Sequence, residues 1–146
     1  MPTTLSADPT TLANRLRPAL LRLNRELRRE LHSLGVTGGQ VSLLIKVQKE
    51  PGIGIRELAQ WERMSTPGMS KYIARLESAG LVRRGELEDR RRVGLELTPE
   101  GSRVLSSVKR RRTAWLAERL RGLSPAELDA VDAAVEPLLK LLEVGA

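Results

Sequence analysis

The apolar residues of this chain keep helical spacing almost throughout, and that spacing breaks directly after Gly80. Before the break, Met69, Ile73 and Leu76 recur every three or four positions, which places them on one side of a helix. After it, Val93-Gly94-Leu95-Glu96-Leu97 alternates apolar and non-apolar residues, the period of a strand, and Leu81-Val82-Arg83-Arg84 is strand-like as well. The stretch from Gly85 to Arg92 between them is polar and has no core signature. These features predict a hairpin with a charged tip set into an otherwise helical chain, so the expected class is mainly α with a small β-hairpin.

The helix before the break runs over about residues 66–79. Ser65 or Thr66 can cap it, and Pro67 suits its first turn, where the N–H it lacks would be unpaired anyway. Opposite the apolar side lie Gly68, Lys71, Arg75 and Ser78, with Ser70 on the flank. Small side chains allow close approach, and hydroxyls and cations meet phosphates and base edges, as entry into a DNA major groove requires. An ordinary solvated helix face has the same composition, and taken alone the stretch reads as one. Its surroundings reverse that reading. A short helix from Ile55 to about Arg63, with Ile55, Leu58 and Ala59 facing inward, leads into it through a tight turn, which is the helix-turn-helix arrangement. A hairpin directly behind such a pair is the wing of a winged helix. Thr66, Pro67, Gly68, Ser70, Lys71 and Arg75 are the candidate DNA-facing residues of the helix.

Charge agrees with this placement. The chain carries a formal +7, and the segment from Arg63 to Arg112 holds 13 Lys or Arg against 6 Asp or Glu, so the entire excess lies there. Localised positive charge points to an anionic polymer as partner. Cysteine is absent and His32 is the one histidine, which excludes a disulfide framework and a zinc site of the usual ligands. Trp61, Trp115 and Tyr72 are the only aromatics, too few for stacking along a single strand. There is no phosphate loop and no nucleophile–base pattern, so neither an enzyme nor a cofactor is expected. No apolar run approaches a membrane span and the polar N-terminus has no signal peptide pattern, so a soluble cytoplasmic protein is expected.

On either side lie helices. Residues 1–9 read as disordered, and a helix is expected from about Thr11 to Ser33 along Leu12, Leu16, Leu20, Leu23, Leu27 and Leu31, with Pro18 kinking it or marking its effective start and Gly35 ending it. Arg22, Arg25, Arg28 and Arg29 sit off that stripe near Glu26 and Glu30, as a solvated face. Thr37-Gly-Gly-Gln40 is a capping box for a second helix, with Val41, Leu44, Ile45 and Gln48 on successive turns and Pro51-Gly52 at its end. Thr98-Pro99-Glu100 starts a helix to about Arg121, with Val104, Leu105, Val108, Trp115, Leu116 and Leu120 inward. Ser124-Pro-Ala-Glu127 opens the last one, which carries Leu128, Val131, Val135, Leu138, Leu139 and Leu142. Asp129, Asp132 and Glu136 on it read as a solvated face. The terminal helices hold more leucine than a small winged helix covers, and a second copy of the chain is the simplest cover. Leu16, Leu20, Leu23 and the six apolar residues of the last helix are therefore the candidate dimer contacts. The expected division is an N-terminal dimerisation helix over 1–36, a winged helix over 37–98 with its wing at about 81–97, and C-terminal dimerisation helices over 99–146.

This order of elements resembles the MarR family of bacterial transcriptional regulators over nearly the whole chain. The residues that carry the resemblance are Glu57-Leu58-Ala59, Met69-Ser70-Lys71, Arg75-Leu76-Glu77, Gly80-Leu81-Val82, Asp89-Arg90-Arg91 and Leu97-Thr98-Pro99-Glu100-Gly101. The Asp-x-Arg of the wing, followed by an alternating strand and Leu-Thr, is the most specific. The resemblance implies a homodimer on a palindromic double-stranded operator, with Arg91 in the minor groove, Asp89 bracing it, and Arg90 and Arg92 on phosphates. It also implies a repressor, possibly regulating its own gene, released by a small effector, for which an aromatic anion is the expected class. The chain departs from the family pattern in three places. Its wing is about one residue short between Arg84 and Asp89, Arg63 stands where such turns use glycine, and Glu62 stands where leucine is common. Two other readings stay open on sequence alone, a nonspecific architectural DNA binder and a winged-helix protein-interaction module.

Overall fold

Proline and a side-chain cap together start four of the helices. The computed structural model describes residues 7–86 and 93–143. Helix α1 (Pro9–Arg29) begins at an Asp-Pro pair, where the Asp8 carboxylate accepts the Thr11 N–H at 3.0 Å. Helix α4 (Thr66–Ser78) is capped by the Ser65 hydroxyl, which accepts the Gly68 N–H at 3.1 Å. In α5 (Pro99–Arg121) the Thr98 hydroxyl accepts the Gly101 N–H at 2.9 Å, and α6 (Pro125–Lys140) opens with a full capping box between Ser124 and Glu127. Each cap satisfies an N–H that the helix itself cannot, worth about 1 kcal/mol. The capping box of Thr37 and Gln40 opens α2 (Gly38–Lys49), and the short α3 (Ile55–Glu62) follows.

Strands β1 (Val82–Glu86) and β2 (Val93–Leu97) pair antiparallel, with Val82 opposite Leu97, Arg84 opposite Leu95 and Glu86 opposite Val93. A third segment, not visible in the sequence, joins the other edge of β2 through a single bridge from the chain after α2. The Leu95 N–H donates to the Ile53 carbonyl at 2.9 Å and the Gly52 N–H to the Leu95 carbonyl at 2.8 Å. The backbone at Gly52 passes so close to Gly94 that a side chain at Gly94 would meet the Gly52 carbonyl at 2.5 Å.

The chain divides into two compact units, Met1–Arg111 and Arg112–Ala146. The first holds the apolar core. Leu31, Leu44, Leu58, Met69, Ile73, Leu76, Leu95, Leu105 and Val108 are fully buried in it, each worth about 1.5–3 kcal/mol relative to exposure. Thr98 ties α4, the hairpin and α5 together. Its N–H donates to the Leu81 carbonyl at 3.1 Å and its hydroxyl to the Gly80 carbonyl at 2.5 Å. Gly101 lies directly on the Leu81 carbonyl, with no room for a side chain. The Leu-Thr-Pro-Glu-Gly run is therefore a joint between the end of one helix and the start of another. In the second unit, the Arg119 guanidinium lies over the Trp115 ring, 5.1 Å from its centre.

Several expected boundaries and faces are corrected. Helix α1 starts at Pro9, runs on through Pro18 and ends at Arg29, so Pro18 does not mark its start. The chain then turns through a 3-10 helix at His32–Leu34 that drops Leu31 into the core, and Gly35 closes that turn instead of α1. In α2, Gln48 is exposed while Leu43 and Val47 join Val41 and Leu44 in the core. A helix packed on more than one side has no single apolar stripe to read. Along α5 only Gly101, Leu105 and Val108 are buried, and Leu116 is exposed. Helix α6 contains Pro137 in its interior and buries no residue. No helix among the described residues is long and apolar enough to cross a membrane.

Candidate nucleic-acid interface

The apolar side of α4 is Met69, Ile73 and Leu76, and it fixes the helix by complete burial against the core. Thr66, Pro67, Lys71, Arg75 and Ser78 are consequently exposed, and Gly68 and Ser70 are half-buried beside them. Gly68, Lys71 and Arg75 thus lie on the side away from the core with Ser70 on its flank, while Thr66 and Pro67 are open because they belong to the first turn. The side chains of Lys71 and Arg75, four residues apart on neighbouring turns, have no hydrogen bond or ion pair with any described residue, so both charges are available to a ligand.

The cations of the hairpin are used differently. Arg84 Nε donates to Glu77 Oε1 of α4 at 2.8 Å, and Arg83 Nε to Glu96 Oε2 across the strands at 3.3 Å. The first pair links the base of the wing to the back of α4. Asp89, Arg90, Arg91 and Arg92 at the wing tip lie outside the described residues.

Between α3 and α4 the backbone turns left-handed at Arg63, with φ 57° and ψ 43°. The Arg63 N–H donates to the Gln60 carbonyl at 3.2 Å and the Met64 N–H to the Ala59 carbonyl at 2.9 Å, which closes the end of α3. This is where the sequence showed arginine in place of glycine, and an L side chain in this conformation costs about 1–2 kcal/mol. Its neighbour Glu62, unexpected at a position often held by leucine, accepts a hydrogen bond from the Ser42 hydroxyl of α2 at 3.2 Å. A second tie to α2 comes from Trp61, whose ring lies 5.1 Å from Lys46 Nζ, and Lys46 pairs in turn with Glu50 at 2.7 Å.

Sequence reasoning missed one positioning residue. Tyr72 on α4 is half-buried and its hydroxyl reaches the first turn of α2, where a side chain at Gly39 would stand 2.7 Å from it. The paired glycines 38 and 39 were the available signal, since the capping box alone does not require a second small residue.

The candidate dimer residues lie on exposed or half-exposed faces. Leu20 and Leu23 of α1 each keep 45% of their surface exposed, and Leu128, Val131, Val135 and Leu139 keep between 42% and 52%. Leu16 and Leu138 are half-buried, and Leu142 lies just past the end of α6 with 81% exposed. Arg29 and Glu26 form an exposed pair at 3.4 Å on α1, consistent with a solvated arginine face there.

Comparison with known proteins adds independent support. Residues 36–93 match the sequence model of the MarR family. An uncharacterized HTH-type transcriptional regulator of Mycobacterium bovis is 34% identical over 133 residues, which is 90% of this chain and 93% of that protein. Among solved structures, a MarR family protein from Bacillus stearothermophilus superimposes with a TM-score of 0.79 at 23% identity, covering 94% of this chain and 99% of that one. Streptococcus pneumoniae FabT, solved in complex with DNA, superimposes with a TM-score of 0.70 at 20% identity, covering 89% of this chain and 96% of its own. At these identities the two structural matches are a likeness of fold.

Proposed function

Because the chain belongs to the MarR family of winged-helix transcriptional regulators, and so is not an enzyme, we propose that it acts as a homodimeric, sequence-specific binder of double-stranded DNA. The observation that carries this reading is the exposed side of α4, where the side chains of Lys71 and Arg75 have no partner among the described residues and stand among small and hydroxyl residues. A helix held by a fully buried opposite side can enter a major groove without rearranging. Ser70 and Lys71 then face base edges, while Thr66 and Arg75 meet the groove wall. Asp89, Arg90, Arg91 and Arg92 keep the roles the family resemblance implies, with Arg91 in the minor groove, where a guanidinium suits the negative potential.

The exposed leucines of α1 and the apolar residues of α6 support a second copy as their cover. A two-fold pair sets two copies of α4 about 34–36 Å apart, one turn of DNA, which matches a palindromic operator. The regulator is proposed to repress and to be released by a small aromatic anion, on family resemblance.

Selection from a pool of random duplexes, followed by competition with scrambled DNA, tests the reading. A regulator prefers its selected site by roughly 10³–10⁷. An architectural protein enriches no site, and a protein-interaction module retains no duplex. Either result would replace the proposal.

A further inference from the structure

We infer that Arg63, in the turn between α3 and α4, is a DNA-backbone contact of this chain; the inference rests on the functional reading above. Its backbone is left-handed at φ 57°, and it is the only non-glycine residue among those described with a positive φ. Glycine or asparagine would close α3 there with less strain and no charge. The arginine therefore brings something that the turn itself does not need.

The surroundings indicate what it brings. Arg63 is exposed and has no hydrogen bond from its side chain, and no ion pair, with any described residue. Among the described residues the adjacent Glu62 carboxylate makes no ion pair with it and accepts instead from the Ser42 hydroxyl. The turn runs straight into the Ser65 cap and the exposed first turn of α4, which holds Thr66, Pro67 and Gly68. In a helix-turn-helix the N-terminal end of the second helix approaches the bases. A long cation one turn before that end stands at the edge of the groove, where the phosphates run. A guanidinium is suited to them, offering several N–H donors in a plane. Its charge also favours the C-terminal end of α3, but that effect involves no DNA and leaves the salt dependence of binding untouched.

The test compares Arg63→Gly, Arg63→Asn and Arg63→Lys with wild type. Urea unfolding measures the fold, and titration of the selected operator and of a scrambled duplex over a range of salt measures binding. Arg63→Gly and Arg63→Asn are expected to fold at least as stably as wild type. Both should lose affinity for the two duplexes alike, on the order of tenfold, with the log–log salt slope falling by about one unit per subunit. Arg63→Lys should keep most of that slope. Unchanged affinity and slope in Arg63→Gly would overturn the inference, and so would a loss confined to the operator with the slope intact, which would mark a purely structural role. If wild type bound neither duplex, the functional reading itself would fall, and this inference with it.

Discussion

Gly101→Ala sets two effects of known size against each other. In a helix, alanine is favoured over glycine by about 1 kcal/mol, and less in the first turn, where Gly101 sits. Against this, the new methyl would land on the Leu81 carbonyl, a backbone atom that cannot rotate away as a side chain would. Relief requires α5 to move off the start of the hairpin. That movement stretches the Thr98 N–H bond to the Leu81 carbonyl, now 3.1 Å, and the Thr98 hydroxyl bond to the Gly80 carbonyl, now 2.5 Å. Overpacking of this kind costs about 1–3 kcal/mol, and each weakened hydrogen bond adds about 0.5–1.5 kcal/mol. The clash wins, for a net loss of about 1–5 kcal/mol after the gain in propensity. Urea unfolding should show a lower midpoint with an unchanged slope. Ser102→Ala, on the exposed neighbour, is the control and should stay within about 0.5 kcal/mol of wild type. A Gly101→Ala protein as stable as wild type, or more so, would refute the joint between α4 and α5 described above.

Leu139 keeps 52% of its surface exposed, so Leu139→Asp should leave the single chain folded, whereas a charge buried in the proposed dimer costs several kcal/mol; sedimentation should show monomers, and an intact dimer would remove α6 from the interface. Leu138→Asp should weaken association too, with some loss of fold stability because Leu138 is half-buried. Glu77→Gln breaks the pair with Arg84, and since both groups are partly exposed the melting cost should stay below about 1 kcal/mol; a larger loss would mean that the pair, more than packing, holds the wing to α4. The Ser124 backbone N–H, and then its hydroxyl, lower the Glu127 carboxyl from its ordinary value. A depressed folded value gives stabilisation that is present above the unfolded value and lost as pH falls through the folded one. The Ser124 amide resonance should therefore titrate with a midpoint below that of free glutamate, and a midpoint at the ordinary value would contradict the capping box in solution.

Local signals carried most of the fold. The capping boxes at Thr37 and Ser124, the Ser65 cap and the alternation in Val93–Leu97 each act within a few residues, and α2, α4, β2 and α6 start within a residue or two of their expected places, whereas α1 ends four residues before Ser33. What the sequence hid depends on distant neighbours. Pairing of Ile53 with Leu95 needs a backbone that passes Gly94, and nothing near Pro51-Gly52 announces it. The start of α1 was hidden because Asp8-Pro9 lies in a polar stretch with no apolar period, so its cap had no helix to belong to. At the candidate interface the exposed side of α4 was legible, because Met69, Ile73 and Leu76 fix the rotation of the helix. The partners of its neighbours were not. Glu77 with Arg84, Glu62 with Ser42, and Tyr72 against Gly39 all join elements whose approach is set by tertiary packing.

The central claim is that α4 reads sequence through Lys71 and Ser70, and one salt titration tests it most directly. Lys71→Ala and Ser70→Ala are titrated with the selected operator and with scrambled DNA, alongside wild type. Base-edge contacts discriminate by about 1–3 kcal/mol each, whereas phosphate contacts add affinity without discrimination. Both variants are expected to lose more affinity for the operator than for scrambled DNA, so that their specificity ratios fall. Equal losses on both duplexes, with the specificity ratio unchanged, would show that α4 is not the element that reads the sequence.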